Sequence, residues 1–169
     1  RLVIPGPKKQ QFERKPELAA LDMADTLVAQ IKAGAADVYV MHFPNVSYAA
    51  HMGDVGLTRK AAETIDKALG KITAILEKRG GTLIITSSHG NAEDMRRDEQ
   101  GRINASNTRS AVPLIIDGPK GLAKTLALRP GRLSDVAPTL LALLDLDIPQ
   151  EMTGQPLLVS AGAELHETA

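Results

Sequence analysis

The 169-residue sequence has no cysteine, no tryptophan, only two tyrosines and two phenylalanines, and no excess of charge of either sign. Each shortage excludes something. Without cysteine there are no disulfides, no thiolate zinc sites and no cysteine nucleophile. That usage suits a reducing compartment, so a cytoplasmic location is expected. With aromatic residues at 2%, stacking platforms for single-stranded bases are missing. The core must then be assembled from Leu, Ile, Val and Ala. Twenty basic residues balance twenty acidic ones. No net field draws the chain to nucleic acid or anionic lipid, and neither is an expected partner. No apolar run approaches the ~20 residues that span a bilayer. The opening "RLVIPGPKKQ" carries charge and prolines where a signal peptide would have an apolar core. It also lacks an initiating methionine, as a processed or cut chain would.

What remains is an ordinary globular composition, 43% apolar and 24% charged. One domain over residues 1–159 is expected, with a tail, 160–169, that frays. Leu2 to Ile4 reads as a short strand. Residues 16–34 place Leu18, Leu21, Leu27, Val28 and Ile31 near helical spacing, between Pro16 and Gly34. "DVYVMHF", 37–43, is β-branched and aromatic, hence a strand ended by Pro44, with a loop to about Thr58. The next segment carries a stripe of Ala62, Ile65, Leu69, Ile72, Ile75 and Leu76, stopped by Gly80-Gly81: a helix. "TLIITS" and "AVPLIID" read as strands, the first as one covered on both faces. Residues 90–110 are a long polar stretch without period, as functional or disordered loops are. "LSDVAPTLLALLDLDI" is a helix in which Pro138 should start a turn or force a kink. Strands alternating with helices give an α/β fold with a mainly parallel sheet. Working residues in such sheets gather beyond the strands' carboxyl ends.

Three polar clusters lie at that address: Asn45 to His51, Ser87 to Asn91, and the 104–108 loop. His51, in "SYAAHMGD", is either a metal or phosphate ligand or an ordinary loop histidine. His89 follows the most buried-looking strand and precedes a glycine that permits close backbone approach; it too reads as ligand or as structure. Ser88 beside His89 invites a nucleophile reading, but neighbours on a strand point to opposite faces, and "TSSHG" lacks the first glycine of the Gly-x-Ser-x-Gly elbow. No catalytic residue is assigned. Asn104 and Arg109 are weak candidates for substrate or anion contact, arginine because its fork suits phosphate. Asp54, Glu93 and Asp94 are the carboxylates near the clusters, from which any replacement ligand would have to come.

Four stretches carry a family resemblance: "IPGPKKQQFERKPELAA", "VMHFPNVSYAAHMGD", "ITSSHGNAEDM" and "LSDVAPTLLALLDLDIPQEMTGQPL". Together they resemble the C-terminal part of cofactor-independent phosphoglycerate mutase, of the alkaline phosphatase superfamily, over about Arg1 to Val159. The resemblance implies an alkaline-phosphatase-like α/β fold, two divalent metal ions, usually manganese, and interconversion of 3- and 2-phosphoglycerate through a phosphoserine. It implies His51 and His89 as metal ligands. At three other ligand positions it finds Ser47 and Ser88 where the family has aspartate, and Asn107 where it has histidine. Asn104 falls on another family histidine. The family's nucleophile, its remaining strands and its inserted substrate domain have no counterpart in these residues. Serine and asparagine are poor substitutes for anionic donors, and two close dications need anionic ligands to offset their repulsion.

Two expectations follow. One is a phosphoglycerate-mutase-like domain unable to catalyse on its own. The other is a non-catalytic binding or structural module that kept the fold. In either case the sheet edge left open by the resemblance invites a second copy or another chain.

Overall fold

The computed structural model describes residues 2–4, 19–120 and 122–161. Their contacts fall into two compact units divided between Gly118 and Pro119.

Among the described residues, the first unit is built on three helices: α1 (Ala20–Ala33), α2 (Asn45–His51) and α3 (Val55–Arg79). The expected start of α1 at Pro16 lies outside the described residues. α3 begins where Asp54 accepts the Leu57 N–H at 2.8 Å, an N-cap that removes one orphan donor. It ends at Gly80, whose φ of 67° suits glycine, with the Gly81 N–H returning to the Leu76 carbonyl at 2.9 Å. α1 and α3 meet through Ala24 and Ala68, both fully buried, with Ile72 beside them and Leu21, Leu27, Val28, Met41, Phe43, Leu76 and Leu83 around them. That contact corrects the expected stripe. Up to Leu69 the buried residues of α3 are Thr58, Ala61, Thr64 and Ala68, while Ala62 is exposed and Ile65 and Leu69 half-buried. Close approach of two helices selects small residues for the central line and leaves branched ones to flank it.

β1 (Leu83–Thr86) and β2 (Leu114–Asp117) pair antiparallel, Ile84 opposite Ile116 and Ile85 opposite Ile115. The second unit contains α4 (Leu122–Thr125), β3 (Leu126–Leu128), a 3-10 turn (Leu133–Asp135), α5 (Val136–Leu143) and β4 (Leu158–Ser160). β3 and β4 are also antiparallel. The mainly parallel pairing expected from the alternation of elements is therefore corrected: both ladders among the described residues are antiparallel. The cause is visible in the connections. β1 reaches β2 through the 90–110 stretch, which doubles back as a ribbon, with bridges at Gly90–Thr108 and Arg97–Ile103, instead of crossing over through a helix.

The expected strand at 37–43 is not formed: Asp37 lies in a bend and the segment joins no ladder among the described residues. It keeps strand periodicity: Tyr39, Met41 and Phe43 are half-buried, while Val38, Val40 and His42 are exposed. Leu2 to Ile4 likewise forms no strand. Pro138 sits third in α5, in the first turn, where a missing N–H breaks no intrahelical bond. The buried Asp135 accepts the N–H groups of Arg132 and Gln155 at 2.8 and 3.0 Å. The Thr139 hydroxyl accepts that of Leu157 at 2.9 Å. These bonds tie 154–157 to α5. The expected frayed tail begins inside β4, since Ser160 is paired with Leu126 and the Ala161 N–H bonds the Thr125 carbonyl at 2.9 Å. The rest of that tail lies outside the described residues.

Candidate functional site

The loop expected at 45–58 is in fact α2 followed by a short turn into α3. This places Ser47 and His51 at i and i+4 on one helical face. Ser47 is half-buried and His51, the last residue of α2, is exposed. The His51 Nδ1 meets the Ala105 carbonyl. A carbonyl only accepts, so this contact calls for a proton on Nδ1, and in the neutral ring Nε2 is then the acceptor nitrogen. Beyond the carboxyl end of β1, Ser88 is exposed and His89 half-buried, its Nδ1 3.1 Å from its neighbour's carbonyl at Gly90.

The ribbon brings the third cluster to the other two. The Thr108 N–H donates to the Gly90 carbonyl at 2.8 Å. A Cβ at Gly90 would collide with the Thr108 hydroxyl and the Glu93 carboxylate, so glycine is what lets the two arms close. Asn91, 4% exposed, donates from Nδ2 to the Ser106 carbonyl at 2.9 Å and, more weakly, to that of Ala105 at 3.4 Å. Asn104 is half-buried; its Nδ2 lies 3.5 Å from Asp94 and its Oδ1 accepts the Ser106 N–H at 3.1 Å. Asn107 and Arg109 are both exposed. Ala105 thus links α2 to the ribbon, and Gly90 links the ribbon to the end of β1. His51 meets the 104–108 segment directly at Ala105, and His89 is one residue from the Gly90 that pairs with Thr108.

The carboxylates that could replace lost ligands are all engaged in structure. Asp54 caps α3. Glu93 accepts the Thr108 hydroxyl and the Asn91 N–H, the latter at 2.7 Å. Hydrogen bonds, the Thr108 hydroxyl first, hold its carboxyl at about 2 against an ordinary 4.5. Asp94 pairs with Arg96 at 2.6 Å, and that hydrogen bond, ahead of the guanidinium's charge, lowers its pKa. Among the described residues no three of His, Asp and Glu gather in a way that could hold a metal ion. A two-metal centre, which needs several anionic ligands around ions about 4 Å apart, does not fit the donors present.

Asn91 was not singled out in the sequence. A buried amide inside a polar loop has no periodic signature, and "HGNAED" gives no sign of which side chain turns inward.

An α/β chain whose polar clusters meet at the end of a strand has counterparts among known proteins. Residues 1–148 match the Metalloenzyme superfamily, and the chain belongs to it. Within that class the likeness is to phosphoglycerate mutases. The chain is 38% identical over 159 residues to the 2,3-bisphosphoglycerate-independent phosphoglycerate mutases of Yersinia pestis (strain Pestoides F) and Salmonella choleraesuis (strain SC-B67). Those matches cover 94% of this chain and 30% of each relative, so the chain spans under a third of their length. A crystal structure of Leishmania mexicana phosphoglycerate mutase at low cobalt concentration superposes with a TM-score of 0.82 at 28% identity, covering 94% of this chain and 31% of the other. The chain is a phosphoglycerate-mutase-like domain, and the alkaline-phosphatase-like α/β fold expected of it stands.

Proposed function

We propose that this domain, taken by itself, binds no pair of metal ions and turns over no phosphoglycerate. The observation that carries the reading is the donor set. Ser47 shares a helical face with His51, Ser88 adjoins His89, and Asn107 is exposed on the ribbon. All three nearby carboxylates are committed elsewhere. Two imidazoles without anionic company cannot offset the repulsion of two dications. Manganese, the family's usual ion by resemblance, would therefore bind weakly or not at all. The test is elemental analysis of protein purified with manganese, together with an assay for interconversion of 3- and 2-phosphoglycerate. Metal at substoichiometric levels and no turnover are expected; two equivalents of metal with turnover would refute the reading.

One observation favours a second reading, in which the domain contributes to catalysis in company. Its relatives are more than three times as long as the matched region, and segment 37–43, with the burial alternation of a strand, joins no ladder among the described residues. Unpaired strand groups are a template for another strand, so a second copy of this chain or another polypeptide is the expected cover. The same assay, repeated with the remaining 70% of the Yersinia pestis relative as a separate polypeptide, distinguishes the two. Turnover that appears only on mixing supports the second reading. No helix among the described residues is long and apolar enough to cross a membrane, and a cytoplasmic location is part of the proposal.

A further inference from the structure

We infer that Asn91 is a positioning residue: through the Ala105 carbonyl it holds the His51 imidazole in the form protonated at Nδ1, with Nε2 aimed outward as the acceptor atom. The inference deepens the reading of the site given above, and rests on its view that His51 is part of what remains there.

The chain of contacts is short. The Ala105 carbonyl has two lone pairs; it accepts from the His51 Nδ1–H and, at 3.4 Å, from the Asn91 amide. The same amide fixes the next peptide through Ser106 at 2.9 Å. Asn91 therefore sets the orientation of both carbonyls at the point where the ribbon meets α2. Among the described residues only Nδ1 of the His51 ring has a hydrogen bond, and the residue is exposed, which leaves Nε2 for an incoming group. Fixing one imidazole nitrogen on a backbone carbonyl is how proteins set which nitrogen serves as ligand or acceptor.

Packing alone does not account for asparagine at position 91. Its Oδ1 is buried without a hydrogen-bond partner among the described residues, a penalty that an apolar side chain of similar size would avoid. What the amide supplies, and no apolar residue could, is the pair of N–H donors. Glu93 and the Gly90–Thr108 bridge already close the ribbon. The amide's separate contribution is at 105–106, the stretch that His51 touches.

The experiment is long-range proton–nitrogen NMR on nitrogen-15-labelled protein without metal, recorded at a pH above which the imidazole signals no longer change. The wild type is expected to show the Nδ1–H pattern at His51. Asn91→Ala and Asn91→Asp, the second keeping the side chain's shape but not its donors, are expected to lose that pattern. Amide-signal dispersion serves as the check that they fold. An Nε2–H pattern in the wild type overturns the inference, as does retention of the Nδ1–H pattern in either variant that folds. If neither variant folds, Asn91 belongs to the fold at large and the positioning role is equally overturned. No metal enters either readout, so this result is separable from failure of the metal-site reading.

Discussion

At Glu93 a single carboxylate gathers the Thr108 hydroxyl and the Asn91 N–H, and so clasps the two arms of the 90–110 ribbon. Its pKa is depressed, to about 2 from 4.5. A depressed carboxyl contributes stability that is fully present above its unfolded value and is lost as pH falls through its folded value. Amide-exchange protection at Thr108 is accordingly expected to decline between pH 4.5 and about 2. Glu93→Gln is expected to remove that step and to lower protection at neutral pH. A wild-type profile flat across the window would contradict the role assigned to Glu93. In the second unit Asp135 does comparable work. Its two oxygens each take a backbone N–H, from Arg132 and Gln155, and those bonds, Arg132 first, lower its pKa. Asp135→Ala leaves two donors unpaired, and a loss of about 1–3 kcal/mol is expected in urea unfolding. A loss much below 1 kcal/mol would mean that solvent replaces the carboxylate freely.

Among the elements, the contact of α1 with α3 is the most sensitive to volume. Ala24 and Ala68 have no exposed surface, so there is no room into which a larger side chain could swing. Ala68→Leu is expected to cost about 1–3 kcal/mol, read as a fall in the urea midpoint at unchanged slope; a neutral result would show a looser interface. These helices were also the most legible elements. The stop of α3 follows from Gly80-Gly81, which act locally, whereas its start at the Asp54 cap falls inside the loop expected up to Thr58. The central line of its buried face was not legible, because alanine and threonine carry too little hydrophobic signal to compete with Ile65 and Leu69. α2 was missed for another reason: Pro44 reads as a stop, and "NVSYAAH" is too short and too little patterned to announce a helix. β3 and β4, three residues each, exist only as partners of one another. Segment 37–43 illustrates the converse. Its alternation is that of a strand, but strand pairing is a property of two segments and this one has no partner among the described residues.

For the molecule as a whole, a strand-patterned segment outside any ladder among the described residues and its exposed apolar side chain point the same way. Val40, in the middle of that segment, is 92% exposed. Sedimentation is expected to show association of the chain with itself or with a complementary polypeptide, weakened by Val40→Lys, since an edge lysine disfavours strand addition. A strictly monomeric species that binds nothing would count against it. In the sequence the two histidines lie in polar clusters beyond expected strands and the family resemblance marks Ser47, Ser88 and Asn107, whereas the commitment of Asp54, Glu93 and Asp94 to caps and clasps is a matter of geometry. That commitment is what leaves the metal centre without replacement anions. The most direct test is calorimetric titration of the isolated chain with manganese. The account predicts no saturable binding at micromolar ion, and two equivalents bound tightly would contradict it.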